Sequence, residues 1–122
     1  MSYSLTKIDH VQLSAPPNSE DKARDFFINV LGMEEVEKPT ALKKNGGVWF
    51  QTDGVQLHVG IEEDFTPNKK AHPALEVLGL EALMSQLDLH RVPYQKDNKI
   101  PGANRIYIHD PFGNRIEMIQ WV

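Results

Sequence analysis

The chain has 122 residues, 40% of them hydrophobic and 25% charged, with a net charge of −4 and no cysteine. That length suits one domain built on one core, the missing cysteines exclude disulfides, thiolate metal sites and a cysteine nucleophile, and an acidic balance without a basic block argues against nucleic acid as a partner. No apolar run is long enough to span a membrane and the N-terminus lacks the apolar core of a signal peptide, so the expected setting is cytoplasmic.

In chain order, Lys7 to Leu13 reads as a first strand, with Val11 and Leu13 on one face and Ile8, His10 and Gln12 on the other. Pro16 to Ser19 ends it and opens a helix. Asn18 or Ser19 suits the cap, and Glu20 and Asp21 suit the positive N-terminal end. Ala23, Phe26, Phe27, Val30 and Leu31 recur at helical spacing, and Gly32 is a good stop. Met33 to Glu37 reads as a short edge strand and Pro39 to Asn45 as a lysine-bearing loop. Val48 to Gln51 and Val55 to Ile61 read as strands joined by a Thr52-Asp53-Gly54 hairpin turn.

Glu62 to Lys70 is polar and reads as a linker, after which the order starts again. His72 to Val77 is a strand. Leu80, Leu83, Met84 and Leu87 mark a second helix with His90 and Arg91 in its last turn and Pro93 beyond. Val92 to Gln95 is a short strand, and Lys96 to Ala103 a loop. Two final strands flank the Asp110-Pro111-Phe112-Gly113-Asn114 turn, where proline presets one dihedral and Gly and Asn accept positive φ. Each half is therefore strand, helix, strand, strand, strand. The expected fold is α+β, one domain over 1–122, with modules over about 5–61 and 71–122.

The halves align with each other. Asp53 to Val59 matches Phe112 to Met118 at an offset of 59, and His10 falls on His72 at an offset of 62. In that register His58 falls on Glu117. Internal repetition thus pairs four residues with metal-ligand chemistry, two from first strands and two from last strands. In each strand the candidate lies opposite an apolar row: Val11 and Leu13, Leu57 and Val59, Leu75 and Val77, Ile116 and Met118. Two His and a carboxylate hold a divalent metal on one side and leave the other side open to substrate and water. The competing reading of each residue alone is ordinary: a hydrogen-bonded neutral imidazole, or a carboxylate on a solvated sheet face. Gln12, Trp49, Gln56, Tyr107 and Arg115 share the lining and are candidates for substrate contact, although Arg115 equally suits a surface ion pair. His109, beside Asp110, and His90, at a helix end, read as structural.

Ile8-Asp9-His10-Val11-Gln12-Leu13, Phe26 to Met33, His72-Pro73-Ala74 and Asp110 to Glu117 together carry a resemblance: the chain is similar to the vicinal oxygen chelate superfamily, which includes glyoxalase I, bleomycin-resistance proteins, fosfomycin-modifying transferases and extradiol dioxygenases. The resemblance implies two paired βαβββ modules that form a curved half-barrel sheet around a metal, with helices on the outer face. It also implies His10, His72 and Glu117 as metal ligands, with His58 near a fourth ligand position, and Glu117 as a catalytic base. The implied cofactor is one divalent ion, manganese, iron, nickel or zinc. The implied function is a metal-dependent enzyme acting on a small oxygenated molecule by lyase or isomerase chemistry, thiol transfer or ring-cleaving oxygenation. The alternative is a protein of the same fold that sequesters a drug or metabolite without chemistry. Small members of the superfamily commonly form homodimers, some of which build each site from two subunits. Substrate selectivity is expected in the 38–47 and 96–104 loops.

Overall fold

A computed structural model describes residues 2–122. Two four-stranded mixed sheets carry the chain, and neither closes on itself. The first half runs β1 (Val11–Ala15), α1 (Glu20–Arg24), β2 (Glu34–Val36), β3 (Val48–Thr52) and β4 (Val55–Ile61), in the spatial order β1-β4-β3-β2. The second runs β5 (Ala74–Glu76), α2 (Leu80–Leu89), β6 (Gln95–Asp97), β7 (Ala103–His109) and β8 (Arg115–Trp121), in the order β5-β8-β7-β6. In each half the first and last strands pair in parallel, and the other pairs are antiparallel. The α+β class and the repeated order match the expectation from sequence.

Local chemistry explains the helices. Glu20, in the first turn of α1, accepts the Gly47 N–H at 2.9 Å and so ties the helix start to the approach to β3. Beyond Arg24 the helix widens over Asp25–Val30, where the Leu31 N–H reaches back five residues to the Phe26 carbonyl at 3.0 Å. A wider turn lets adjacent residues share a face, and both Phe26 and Phe27 are buried. Phe27 lies 5.2 Å from Phe50 of β3, at the centre of one apolar cluster that runs through both halves. The N–H groups of Gly79 and Leu80 at the start of α2 donate to Gln120 Oε1 of β8 at 3.0 and 2.7 Å. That side chain replaces the missing local cap.

Several boundaries move from where the sequence puts them. Pairing of β1 begins at Val11, opposite Leu57, and Lys7 to His10 stay unpaired and exposed. β4 starts only at Val55, behind the turn at Asp53 (φ 40°), so this register leaves little partner strand for residues upstream of His10. β6 starts at Gln95 rather than Val92. The residues before it are used in leaving α2, with Arg91 at φ 58° and the Val92 N–H bonded to the Leu87 carbonyl at 2.8 Å. The expected loop over Pro39 to Asn45 holds a 3₁₀ helix, Thr40–Asn45, braced by a 2.7 Å ion pair between Lys43 and Glu37.

The turn between β7 and β8 sets the register that the site depends on. The buried Asp110 accepts the Phe112 N–H at 3.0 Å and the Asn114 N–H at 2.8 Å on Oδ1, and the Asn114 side-chain amide at 2.8 Å on Oδ2. Burial pushes its carboxyl above the ordinary value, against the opposing pull of these hydrogen bonds. Gly113 sits at φ 91°, a conformation costly for residues with a side chain. The Asn114 amide also donates to the Ser14 carbonyl at 2.8 Å, so the turn ties the second half to β1. No helix among the described residues is long and apolar enough to cross a membrane.

Candidate functional site

The strand registers reproduce the internal alignment. Parallel pairing sets Gln12 beside His58 in the first sheet and Ala74 beside Glu117 in the second. Antiparallel pairing sets Trp49 opposite His58 and Tyr107 opposite Glu117. His58 and Glu117 are thus equivalent in the two halves, as are Trp49 and Tyr107. The other face of each strand carries the core: Leu57 and Val59 in β4, Ile116 and Met118 in β8, are all buried.

The first cluster is a stack of three rings. His58 is 5% exposed and lies between Trp49, at 4.0 Å and 4° between planes, and His10, at 4.2 Å and 18°. Burial lowers the His58 pKa, and proximity to His10 lowers it further, with Asp9 partly opposing. The ring is therefore neutral at pH 7 and keeps a lone pair. His10 is more exposed and its Nδ1 lies 3.0 Å from Asp9. Gln12 lies across Gly60, where a side chain would collide with its amide nitrogen.

A stability prediction follows from His58. Its folded pKa lies below the ordinary value of about 6.5, so on acidification the unfolded chain takes up a proton first. Stability is expected to fall as pH drops from about 6.5 towards the lowered value, at a limiting slope of about 1.4 kcal/mol per pH unit for one proton. Urea titrations of wild type and His58→Gln between pH 7.5 and 5 check this. The variant should show the shallower slope.

The second cluster is ionic. Glu117 is 6% exposed, and its Oε1 lies 3.0 Å from His72 Nε2 and 3.4 Å from Arg105 Nη1. Burial pushes the carboxyl up, but the His72 and Arg105 contacts outweigh it and hold the pKa below the ordinary value. Glu117 is therefore ionised at neutral pH. Arg105 bridges on to Asp97 at 3.3 Å, while its Nε is buried without a hydrogen-bond partner among the described residues. Tyr107 packs edge-on against His72 with ring centroids 5.4 Å apart, and the Arg115 guanidinium lies 3.9 Å over the Tyr107 ring.

His72 Nδ1 lies 2.8 Å from the Lys70 carbonyl, which only accepts hydrogen bonds, so Nδ1 carries a proton. Nε2 then faces a carboxylate oxygen at 3.0 Å. Two lone pairs do not face each other at that distance. The gap is filled either by a second imidazole proton or by a cation that both groups bind. A backbone carbonyl on Nδ1 is also the outer-sphere arrangement that orients a metal-binding histidine. The donor chemistry therefore fits a divalent metal.

The number of donors brought together in one chain falls short. The structure joins His10 with His58 and His72 with Glu117, but not one pair with the other. Among the described residues no three His, Asp or Glu side chains stand close enough to hold a metal ion. Arg105 and Asp97 were not among the candidates read from sequence. Arg105 was legible by its period-two spacing from Tyr107; Asp97 lies in a segment read as loop, and only the β6–β7 register places it opposite Arg105.

Residues 7–118 match the profile of the Glyoxalase/Bleomycin resistance protein/Dioxygenase superfamily. A glyoxalase family protein from Bacillus anthracis has the same fold with a TM-score of 0.96 and 41% identity, over 100% of both chains. The fosfomycin resistance protein FosX from Listeria monocytogenes superposes with a TM-score of 0.77 at 14% identity, over 98% of this chain and 96% of its own. Lactoylglutathione lyase from Agrobacterium tumefaciens gives 0.74 at 19% identity, over 97% and 96%. At those lower identities the likeness is one of fold. No functionally curated protein matches the sequence. The chain belongs to the Glyoxalase/Bleomycin resistance protein/Dioxygenase superfamily.

Proposed function

We propose that this member of the superfamily is a cytoplasmic homodimeric enzyme, dependent on a divalent metal, that acts on a small oxygenated molecule. His72 and Glu117 of one subunit and His10 of the other would hold the metal, with His58 beside His10 as a further donor or a pocket wall. The observation that carries this reading is the wiring of His72, whose Nδ1 is fixed on the Lys70 carbonyl while its Nε2 faces Glu117 Oε1 at 3.0 Å. The division of the ligands into two pairs, one in each half of the chain, supports a site shared between subunits. Among the described residues the outer edges of β1 and β5 have no partner strand, and the segment leading into β1 exposes Leu5 and Ile8. Open edges and exposed apolar side chains are what a second subunit covers.

A bound divalent ion would polarise vicinal oxygens and stabilise the negative charge that develops on them. The protein's own groups account for the rest. His72 and Arg105 keep Glu117 ionised and both meet Oε1, leaving Oε2 without a hydrogen bond among the described residues and free to bind or to take a proton from substrate. Trp49 and Tyr107, opposite the two buried ligands, form apolar walls that exclude water.

Titration of chelator-treated protein with manganese, iron, nickel or zinc tests this. One of them is expected to bind at about one equivalent per chain, counted by calorimetry. Uptake below about one-tenth of an equivalent for all four metals overturns the metal-dependent reading. Retained ligand binding without metal would instead select the second reading, a non-catalytic binding protein. The flat Trp49–His58–His10 stack favours that reading, because it offers a planar wall without chemistry.

A further inference from the structure

The second cluster contains two guanidinium groups in different electrostatic states. Arg105 is neutralised from both sides, by Asp97 and by Glu117. Arg115 makes no ion pair among the described residues. It lies on the same face of β8 as Glu117, two residues upstream, and its guanidinium is held over the Tyr107 ring. Stacking fixes the plane of the group and leaves its N–H edge free, which is the arrangement that receives a carboxylate through two parallel hydrogen bonds. Arg115 also lines a cavity of about 490 Å³ at the seam between the halves. Its lining also includes the polar side chains of Gln12, Ser14, His72 and Asn114, and Glu62 is its one acid. Glu62 is exposed and makes no ion pair with Arg115.

We propose that Arg115 anchors a carboxylate of the substrate, so that the molecule taken into the second cluster is a small monoanionic acid. One uncompensated guanidinium matches one negative charge, and its place beside His72 on the cavity wall brings the carbon next to the carboxylate towards that ring. The inference rests on the reading of the cluster as a small-molecule site, and it specifies the class of molecule.

Lactate and lactamide serve as probes, because they share size and hydroxyl position and differ in charge. Binding is followed by ligand-observed NMR on the full-length protein, with metal content measured on the same samples. Wild type is expected to bind lactate about ten-fold or more tightly than lactamide. Arg115→Gln should reduce lactate binding to the lactamide level, leave lactamide binding and metal content unchanged, and Arg115→Lys should retain part of the preference. Equal binding of the two probes by wild type, no detectable lactate binding, or an Arg115→Gln protein that keeps the preference overturns the inference. A charge preference that depends on Arg115 in protein that takes up none of the four metals supports the anchor while removing the metal-dependent reading, so the two proposals fail separately.

Discussion

Glu117→Gln is expected to lower affinity for a divalent metal by about ten-fold or more, with the fold retained. Glutamine has the same length and still fits beside His72 and Arg105, but it lacks the charge that both contacts and the metal require. Loss of outer-sphere partners alone costs about 10–100-fold in metal affinity, and a ligand does not count for less. Arg105 keeps Asp97 at 3.3 Å and is not left unpaired. The same substitution changes the acid limb of stability. The folded pKa of Glu117 is lowered, so its stabilisation is present above the ordinary carboxylate range and is lost as pH falls through the lowered value. The variant should lack that component. Competition with a fluorescent chelator measures the first effect, and urea titration at pH 3 to 6 the second. Wild-type metal affinity in Glu117→Gln would remove this residue from the ligand set.

Metal removal is expected to weaken the dimer by about 100-fold. If His10 comes from one subunit and His72 with Glu117 from the other, each metal is a bond across the interface, and a dimer holds two of them. A ligand that binds only the associated state stabilises it by mass action, and the coupling is reciprocal. Ten-fold per site gives about 100-fold for two independent sites. Sedimentation of the metal-loaded and chelated protein over a range of concentrations reads this directly. An unchanged dissociation constant would place the metal within one subunit or nowhere.

Much of the fold is legible because local and repeated signals agree. The helical stretch from Glu20 has acidic residues in its first turn and Gly32 at φ 77° beyond its end, although the expected side-chain cap from Ser19 does not form; the hairpins at Asp53 and Asp110 carry their own turn chemistry. The offset between halves anticipated that His58 and Glu117 occupy equivalent places, and the parallel registers reproduce it. What failed to show was non-local. The extra residue per turn after Arg24 has no distinct spacing, since Phe26 and Phe27 also fit an ordinary helix. The start of β1 depends on where β4 runs out, and Asp97 joins the cluster only through the β6–β7 register. Within the candidate site, residue types and faces were readable, because period-two alternation fixes the face. Their grouping into two pairs was not, because that depends on how the two sheets sit relative to each other.

The shared site can be tested by mixing two defective chains. His10→Ala and Glu117→Gln each break every site in their own homodimers. When the two are co-expressed at equal levels, random pairing makes about half of the dimers mixed. A mixed dimer gathers both substitutions in one site and leaves the other intact. The purified mixture is therefore expected to bind metal tightly at about one quarter of the wild-type stoichiometry. No recovery of tight binding in a preparation that contains mixed dimers would contradict a site divided between subunits.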